Sequence, residues 1–187
     1  MKNLLTLVLL LPIIVSAQKV VFPTDSVTNL VSYSFTAQVP ETAQNILFNR
    51  AKNWFDQENK SGQLLSVQER EEAGLLSSKK NLIRKYSYNT TDTIPIAYQI
   101  EFTVRLIAQN NIYKIILTDY STKTTILDIT SVAPIEEVFS LNRQKKTRST
   151  LPNKDEQETL RIRNDLAKFV DESSKDCISK LKTAMAQ

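Results

Sequence analysis

The sequence predicts an α+β domain, in the order strand, helix, strands, helix. Three observations predict it. From Ile94 to Ala108, Ile96, Tyr98, Ile100, Phe102, Val104, Leu106 and Ala108 alternate with Ala97, Gln99, Glu101, Thr103, Arg105 and Ile107. That period of two marks a strand with one buried face. Two other stretches, around Trp54 and around Val170, repeat apolar residues at three- and four-residue steps, as amphipathic helices do. The strands fall in one run between the helices, so they pair antiparallel, and the helices cover one sheet face while the other stays open.

Each element follows in order. Residues 18–30 carry Pro23 and Asp25 without a clear period and read as a lead-in. Val31 to Val39 is the first strand, with Tyr33, Phe35, Ala37 and Val39 on one face, and Pro40 ends it because it has no N–H for a ladder. A helix opens at Glu41 and Thr42, acid at the positive end of its dipole. Ala43, Ile46, Leu47, Ala51, Trp54 and Phe55 form its stripe, to about Gln57. Leu64 to Arg70 and Leu75 to Lys79 flank a turn at Gly74. Leu82 to Tyr88 is either a continuation of the second strand or a separate one. The long strand Ile94–Ala108 turns at Asn110-Asn111, where Asn tolerates positive φ, and Ile112 to Tyr120 returns. Ser121 to Thr125 reads as a polar connection, Ile126 to Val132 as a short strand, and Pro134 to Phe139 as a helical turn.

A basic loop, 142–153, precedes the last helix, 154–186. Asn153 and Glu156 have capping-box spacing. Leu166, Phe169, Val170, Ser173, Cys177, Ile178, Leu181 and Met185 form the helix's stripe. About 30 residues span roughly 45 Å, against about 20 Å for a six-residue strand. The helix therefore overhangs the sheet, bends near Ser173-Ser174, or is shorter than it looks.

The first 17 residues read as a secretory leader. Lys2 supplies the positive end, Leu4 to Val15 is apolar apart from Thr6 and Pro12, and Val15-Ser16-Ala17 fits a cleavage site. Cleavage after Ala17 removes one of 24 basic side chains and leaves 23 against 20 acidic, a mild +3. The remaining 170 of 187 residues fit a single domain, 31–187 after the lead-in. The expected compartment is the periplasm or the exterior.

Composition limits the chemistry. The chain has no His, one Cys and two Gly. Without His, Ser-His-Asp and Cys-His machinery is excluded, and with one Cys so is an ordinary structural zinc site. Two glycines cannot build a P-loop or a dinucleotide fingerprint. No metal or other cofactor is expected. Cys177 falls on the apolar stripe and is expected as a buried thiol.

Several segments resemble a known family. Tyr33-Ser34-Phe35-Thr36-Ala37-Gln38-Val39-Pro40, Ile46-Leu47-Phe48-Asn49-Arg50-Ala51 and Trp54 resemble the opening of the domain-of-unknown-function family numbered 4468. Glu69 to Leu76 resembles its first hairpin. Tyr98-Gln99-Ile100-Glu101-Phe102 with Tyr113-Lys114-Ile115 and Thr118-Asp119-Tyr120 resembles its central hairpin. The resemblance covers residues 31–125 and a C-terminal helix of the expected kind. It departs at Asn110-Asn111, where the family would have an acidic residue and Gly. It implies export by a member of the Bacteroidota and a fold like the TATA-box-binding protein (TBP-like), a curved antiparallel sheet backed by two helices. It implies no activity and no site residues.

The candidate binding surface is Gln99, Glu101, Thr103 and Arg105 on the open sheet face, with Tyr113 and Tyr120 as aromatic neighbours. Its expected partner is an envelope protein or a glycan. Tyr86, Tyr88 and Tyr98 among Arg84 and Lys85 would also suit nucleic acid, but export and a charge of +3 exclude it as an expectation. The bases Arg143, Lys145, Lys146 and Arg148 offer peripheral membrane contact as a lesser alternative. Glu101 and Asp119 would suit a carboxylate hydrolase acting on glycans only if they shared a cleft. Pairing about Asn110-Asn111, with opposed numbers summing to about 221, places them on opposite faces instead. Self-association through the last helix is a further alternative. Asn59-Lys60-Ser61 and Asn89-Thr90-Thr91 match the glycosylation pattern, which acts only in a eukaryotic secretory pathway.

Overall fold

The computed structural model describes residues 20–89, 93–140 and 154–187. The leader at 1–17, Thr90-Thr91 of the second glycosylation pattern, and Asn153 lie outside them. So do Arg143, Lys145, Lys146 and Arg148 of the basic loop.

The fold is α+β, with the expected order of elements. The strands are β1 (Tyr33–Gln38), β2 (Leu64–Arg70), β3 (Leu75–Asn89), β4 (Thr93–Gln109), β5 (Ile112–Ile126) and β6 (Ile129–Pro134). They form one antiparallel sheet, β1-β5-β4-β3-β2, with β6 also on β5. β1 and β6 share one edge of β5: β1 pairs with Ile112–Leu117 and β6 with Ser121–Ile126. The helices are α1 (Gln44–Lys60), α2 (Ile135–Ser140) and α3 (Lys154–Met185). Leu47, Phe48 and Phe55 of α1, and Leu166, Val170 and Leu181 of α3, enter one core with Leu76, Phe102, Leu106 and Leu117 of the sheet. Both long helices therefore lie on the same sheet face.

Several boundaries differ from those read from the pattern. β3 is a single strand through Leu82, with no break. β5 does not end at Tyr120, because Asp119 and Tyr120 together oppose Phe102 in a β-bulge. Asp119 takes a φ of +57° there. A bulge inserts one residue, so the buried parity switches. Tyr113, Ile115 and Leu117 point to the core before it, Tyr120 and Thr122 after it. Read straight through, that switch looks like a lost period, and Ser121–Thr125 looks like a connection. β5 instead continues to Ile126 and turns to β6 at Leu127 and Asp128, both at positive φ.

α1 begins at Gln44, not at Glu41, whose φ of +58° is outside the helical region. Its N-terminus is capped from far along the chain. Asn110 Oδ1 accepts from the Gln44 N–H at 2.9 Å, and Asn111 Oδ1 from the Thr42 N–H at 3.0 Å. Asn110 thus satisfies a donor that the first turn leaves free, and Asn111 fixes the segment that leads into it. Phe48 is buried and Ile46 half exposed, so the stripe is rotated from the one expected.

α3 runs 32 residues, about 48 Å at 1.5 Å per residue. The helix has no need to overhang the sheet, because the strands are long as well. Fifteen residues in β3 and β5 reach about 50 Å. Ser174, rather than Ser173, faces the core: its hydroxyl lies 2.8 Å from the Tyr120 hydroxyl and 2.7 Å from the Val170 carbonyl. Cys177 is a buried free thiol, as expected.

Candidate functional site

The open face of the sheet takes alternate residues of β3, β4 and β5. Gln99, Glu101, Thr103 and Arg105 of β4 lie on it, between the buried Ile100, Phe102, Val104 and Leu106. In register beside them come Lys79, opposite Thr103, and Asn81, opposite Glu101. On the other flank Glu101 faces Ser121, not Tyr120, because the bulge moves the pairing by one. The bulge also brings Asp119 to this face, where its Oδ2 lies 4.0 Å from Arg105 Nη2. The expectation that Glu101 and Asp119 occupy opposite faces is therefore overturned.

Sharing a face does not make them an acid–base pair. Lys79 Nζ donates to Glu101 Oε1 at 2.6 Å, and Arg105 stands beside Asp119. Each carboxylate is paired instead with a cation on the exposed face of the sheet. That hydrogen bond to Glu101 holds the Lys79 ammonium above its usual pKa. The arrangement is a lattice of alternating charges, suited to a complementary polar surface. Asn81 fell in the gap between Leu75–Lys79 and Leu82–Tyr88, and Lys79 alone was legible as a period-two residue of the preceding strand. Asp119 was not, since its placement depends on the bulge.

Tyr113 and Tyr120 do not belong to this surface. They are 5% and 4% exposed and point into the helix-covered core. Tyr120 stacks on Phe102 at 4.9 Å, and Tyr33 donates to Asp171 Oδ1 at 2.8 Å. Tyr86 and Tyr98 also pack against the core, edge to face at 5.7 Å. Tyr86 donates to Asp165 at 2.8 Å, alongside Arg84 at 3.0 Å. These two donors lower the Asp165 pKa, Tyr86 more than Arg84. The misplacement of Tyr120 follows from amphipathy, since its ring is buried and Ser174 meets its hydroxyl.

A buried charge went unforeseen. Lys80 is 5% exposed on the core side of β3. Its ammonium donates to Glu58 Oε2 at 2.6 Å and Gln63 Oε1 at 2.9 Å, and lies 5.8 Å from the Trp54 ring. A lysine at an inward position of the strand period was the one available signal.

Several cavities indent the described residues. One of about 570 Å³ lies between α1 and the end of α3, near Arg50 and Lys180. One of about 380 Å³ sits where β1 gives way to β6, beside Asp119 and Glu136. Another, of about 210 Å³, lies under the first half of α3 near Arg163. Glu101 lines none of these. Among the described residues no three His, Cys, Asp or Glu converge as metal ligands. No described helix is long and apolar enough to cross a membrane.

With this architecture in hand, solved structures provide a comparison. The chain is similar to a TBP-like protein from Parabacteroides distasonis, at 20% identity and a TM-score of 0.53, over 84% of this chain and 93% of that one. It is also similar to a domain-of-unknown-function 4468 family protein from Bacteroides ovatus, at 15% identity and a TM-score of 0.57, over 92% of each chain. The fold is thus TBP-like, as the resemblance of the residues implied. No family sequence model matches the chain, and no curated protein does.

Proposed function

We propose that the chain is a non-catalytic binding domain of the cell envelope, engaging a partner protein through its open sheet face. One observation carries this reading: both long helices lie on one side, leaving the lattice of Lys79, Glu101, Arg105 and Asp119 facing outward. Paired charges on an exposed face add little to stability, yet their pattern can select a partner and fix its register. A protein is favoured over a glycan because Tyr113 and Tyr120, the expected stacking platforms, are buried. Export rests on the leader pattern of residues 1–17.

Charge reversal tests the proposal. A double variant, Glu101→Lys with Arg105→Glu, should keep the melting transition and lose the envelope proteins cross-linked by the wild type. Capture of the same set by the variant would overturn the surface assignment. Recovery of polysaccharide instead of protein would shift the partner class to a glycan.

A further inference from the structure

The covered face of the sheet is roofed unevenly. α1 starts at the Asn110-Asn111 turn and has reached Lys80 by Glu58. Its 17 residues span about 25 Å, half the length of the long strands. Beyond it the sheet is roofed by the first half of α3 and by α2. Under this roof lies the cavity of about 210 Å³. Its apolar walls come from Ile96 of β4, Val138 of α2, and Ile162 and Leu166 of α3.

Its polar groups are one guanidinium and the hydroxyls of Tyr98, Thr124 and Thr159. Arg163 lines it, near Tyr98 and Thr124, and no carboxylate is among the lining residues. Positions 159, 162, 163 and 166 fall on one face of α3, so the guanidinium is carried over the cavity by the turns that supply its walls. Among the described residues Arg163 forms no ion pair. Its neighbours on α3 are already matched: Arg161 with Glu158, and Asp165 with Arg84 and Tyr86. Its charge is close enough to Tyr98 to oppose the rise in that hydroxyl's pKa caused by burial. A half-buried guanidinium without a counter-charge, beside an apolar hollow, is matched by an anion with an apolar body. The volume falls below the ~300–1,000 Å³ of drug-sized pockets, so the anion is small.

We infer that this cavity binds a small monocarboxylate with a short aliphatic chain, the carboxylate on Arg163 and the chain between Ile96, Ile162 and Leu166. Arginine is suited to this role because its planar fork meets a carboxylate with two parallel hydrogen bonds. The site lies on the opposite side of the sheet from the charge lattice, so it stands or falls independently of the partner surface.

The test is titration of the whole chain with sodium hexanoate, followed by methyl chemical shifts, with hexylammonium and hexanol as probes of charge and shape. Hexanoate should give saturable shifts centred on Ile96, Val138, Ile162 and Leu166. Hexylammonium should give none, and hexanol a binding at least about tenfold weaker, the value of one charge-assisted contact. Arg163→Gln should weaken hexanoate by about tenfold while leaving envelope-partner capture unchanged. Ile162→Phe, which fills the hollow, should abolish the shifts. Equal binding of all three probes, no loss in Arg163→Gln, or no saturable shift in a folded chain would each overturn the inference.

Discussion

The two halves of the covered sheet face are built differently. The half nearest the Asn110-Asn111 turn lies under α1 and the end of α3, and Leu47, Phe48, Ala51, Phe55, Leu106, Ile115 and Leu117 are all essentially inaccessible there. The far half is roofed by the start of α3 and by α2, and its Leu82, Tyr86, Tyr98, Val138 and Phe139 are only partly buried. One half is packed against the sheet, its cavity of about 570 Å³ lying between the two helices with no sheet residue in its lining. The other is tied by polar contacts, Tyr86 and Arg84 to Asp165, around a hollow. A single sheet can thus hold a tightly packed end and a hollow end when one of its two long helices is too short to cover it.

Mutations should expose that contrast. Leu47→Ala, in the packed half, is expected to cost about 4 kcal/mol, and Ile162→Ala, beside the hollow, about 2 kcal/mol, because the loss is greatest where nothing can collapse into the gap. Urea unfolding of both variants measures the difference, and equal losses would erase the contrast. Next comes Glu58→Ala, which leaves the Lys80 ammonium buried with only Gln63 and the Trp54 ring. Removing one partner of a buried pair costs about 3 kcal/mol, and the same unfolding curve reads it.

Alkali and acid should act on opposite halves. Burial raises the Cys177 pKa to about 11, above its ordinary 9.0. The unfolded thiol ionises first, so the stability that burial of the neutral thiol supports is full below pH 9 and is lost as pH rises towards 11. A thiol reagent should therefore modify Cys177 only as the chain unfolds, which absorbance of the released group follows. Asp165 behaves in reverse. Its folded pKa lies below the ordinary 3.8, so its contribution is present above that value and lost as pH falls through the folded one. Asp165→Asn should flatten the acid limb of the stability curve by a small amount, since the carboxylate is partly exposed and screened.

How much was legible differs along the chain. β4 could be read residue by residue, because fourteen consecutive positions from Pro95 to Ala108 keep one parity and no bulge intervenes on it. β5 could be read only as far as Leu117. The Asp119 bulge then exchanged the inward and outward sets, and with them the place of Glu101's cross-strand neighbour and of Asp119 itself. Positive φ at Asn29, Glu41, Asn111, Asp119, Leu127 and Asp128 shows why two glycines suffice and why other turns left little trace. Gly74 is the exception. A Cβ at its φ of +61° would sit 2.1 Å from the Ala108 carbonyl oxygen, so no side chain fits.

From the sequence by itself came the α+β class, the strand and helix order, the open polar face of β4, most of the inward set of α3 and the buried thiol. All follow from periodicity, which is a local property of consecutive residues. Tertiary structure alone decided the capping of α1 by Asn110, the burial of Tyr113 and Tyr120, the pairing of Lys80 with Glu58, and the hollow at Arg163. Each depends on residues far apart in the chain meeting in the fold, and the hollow also on the relative lengths of the helices and strands. No local pattern encodes those meetings, because a side chain's period says which way it points and not what it finds there.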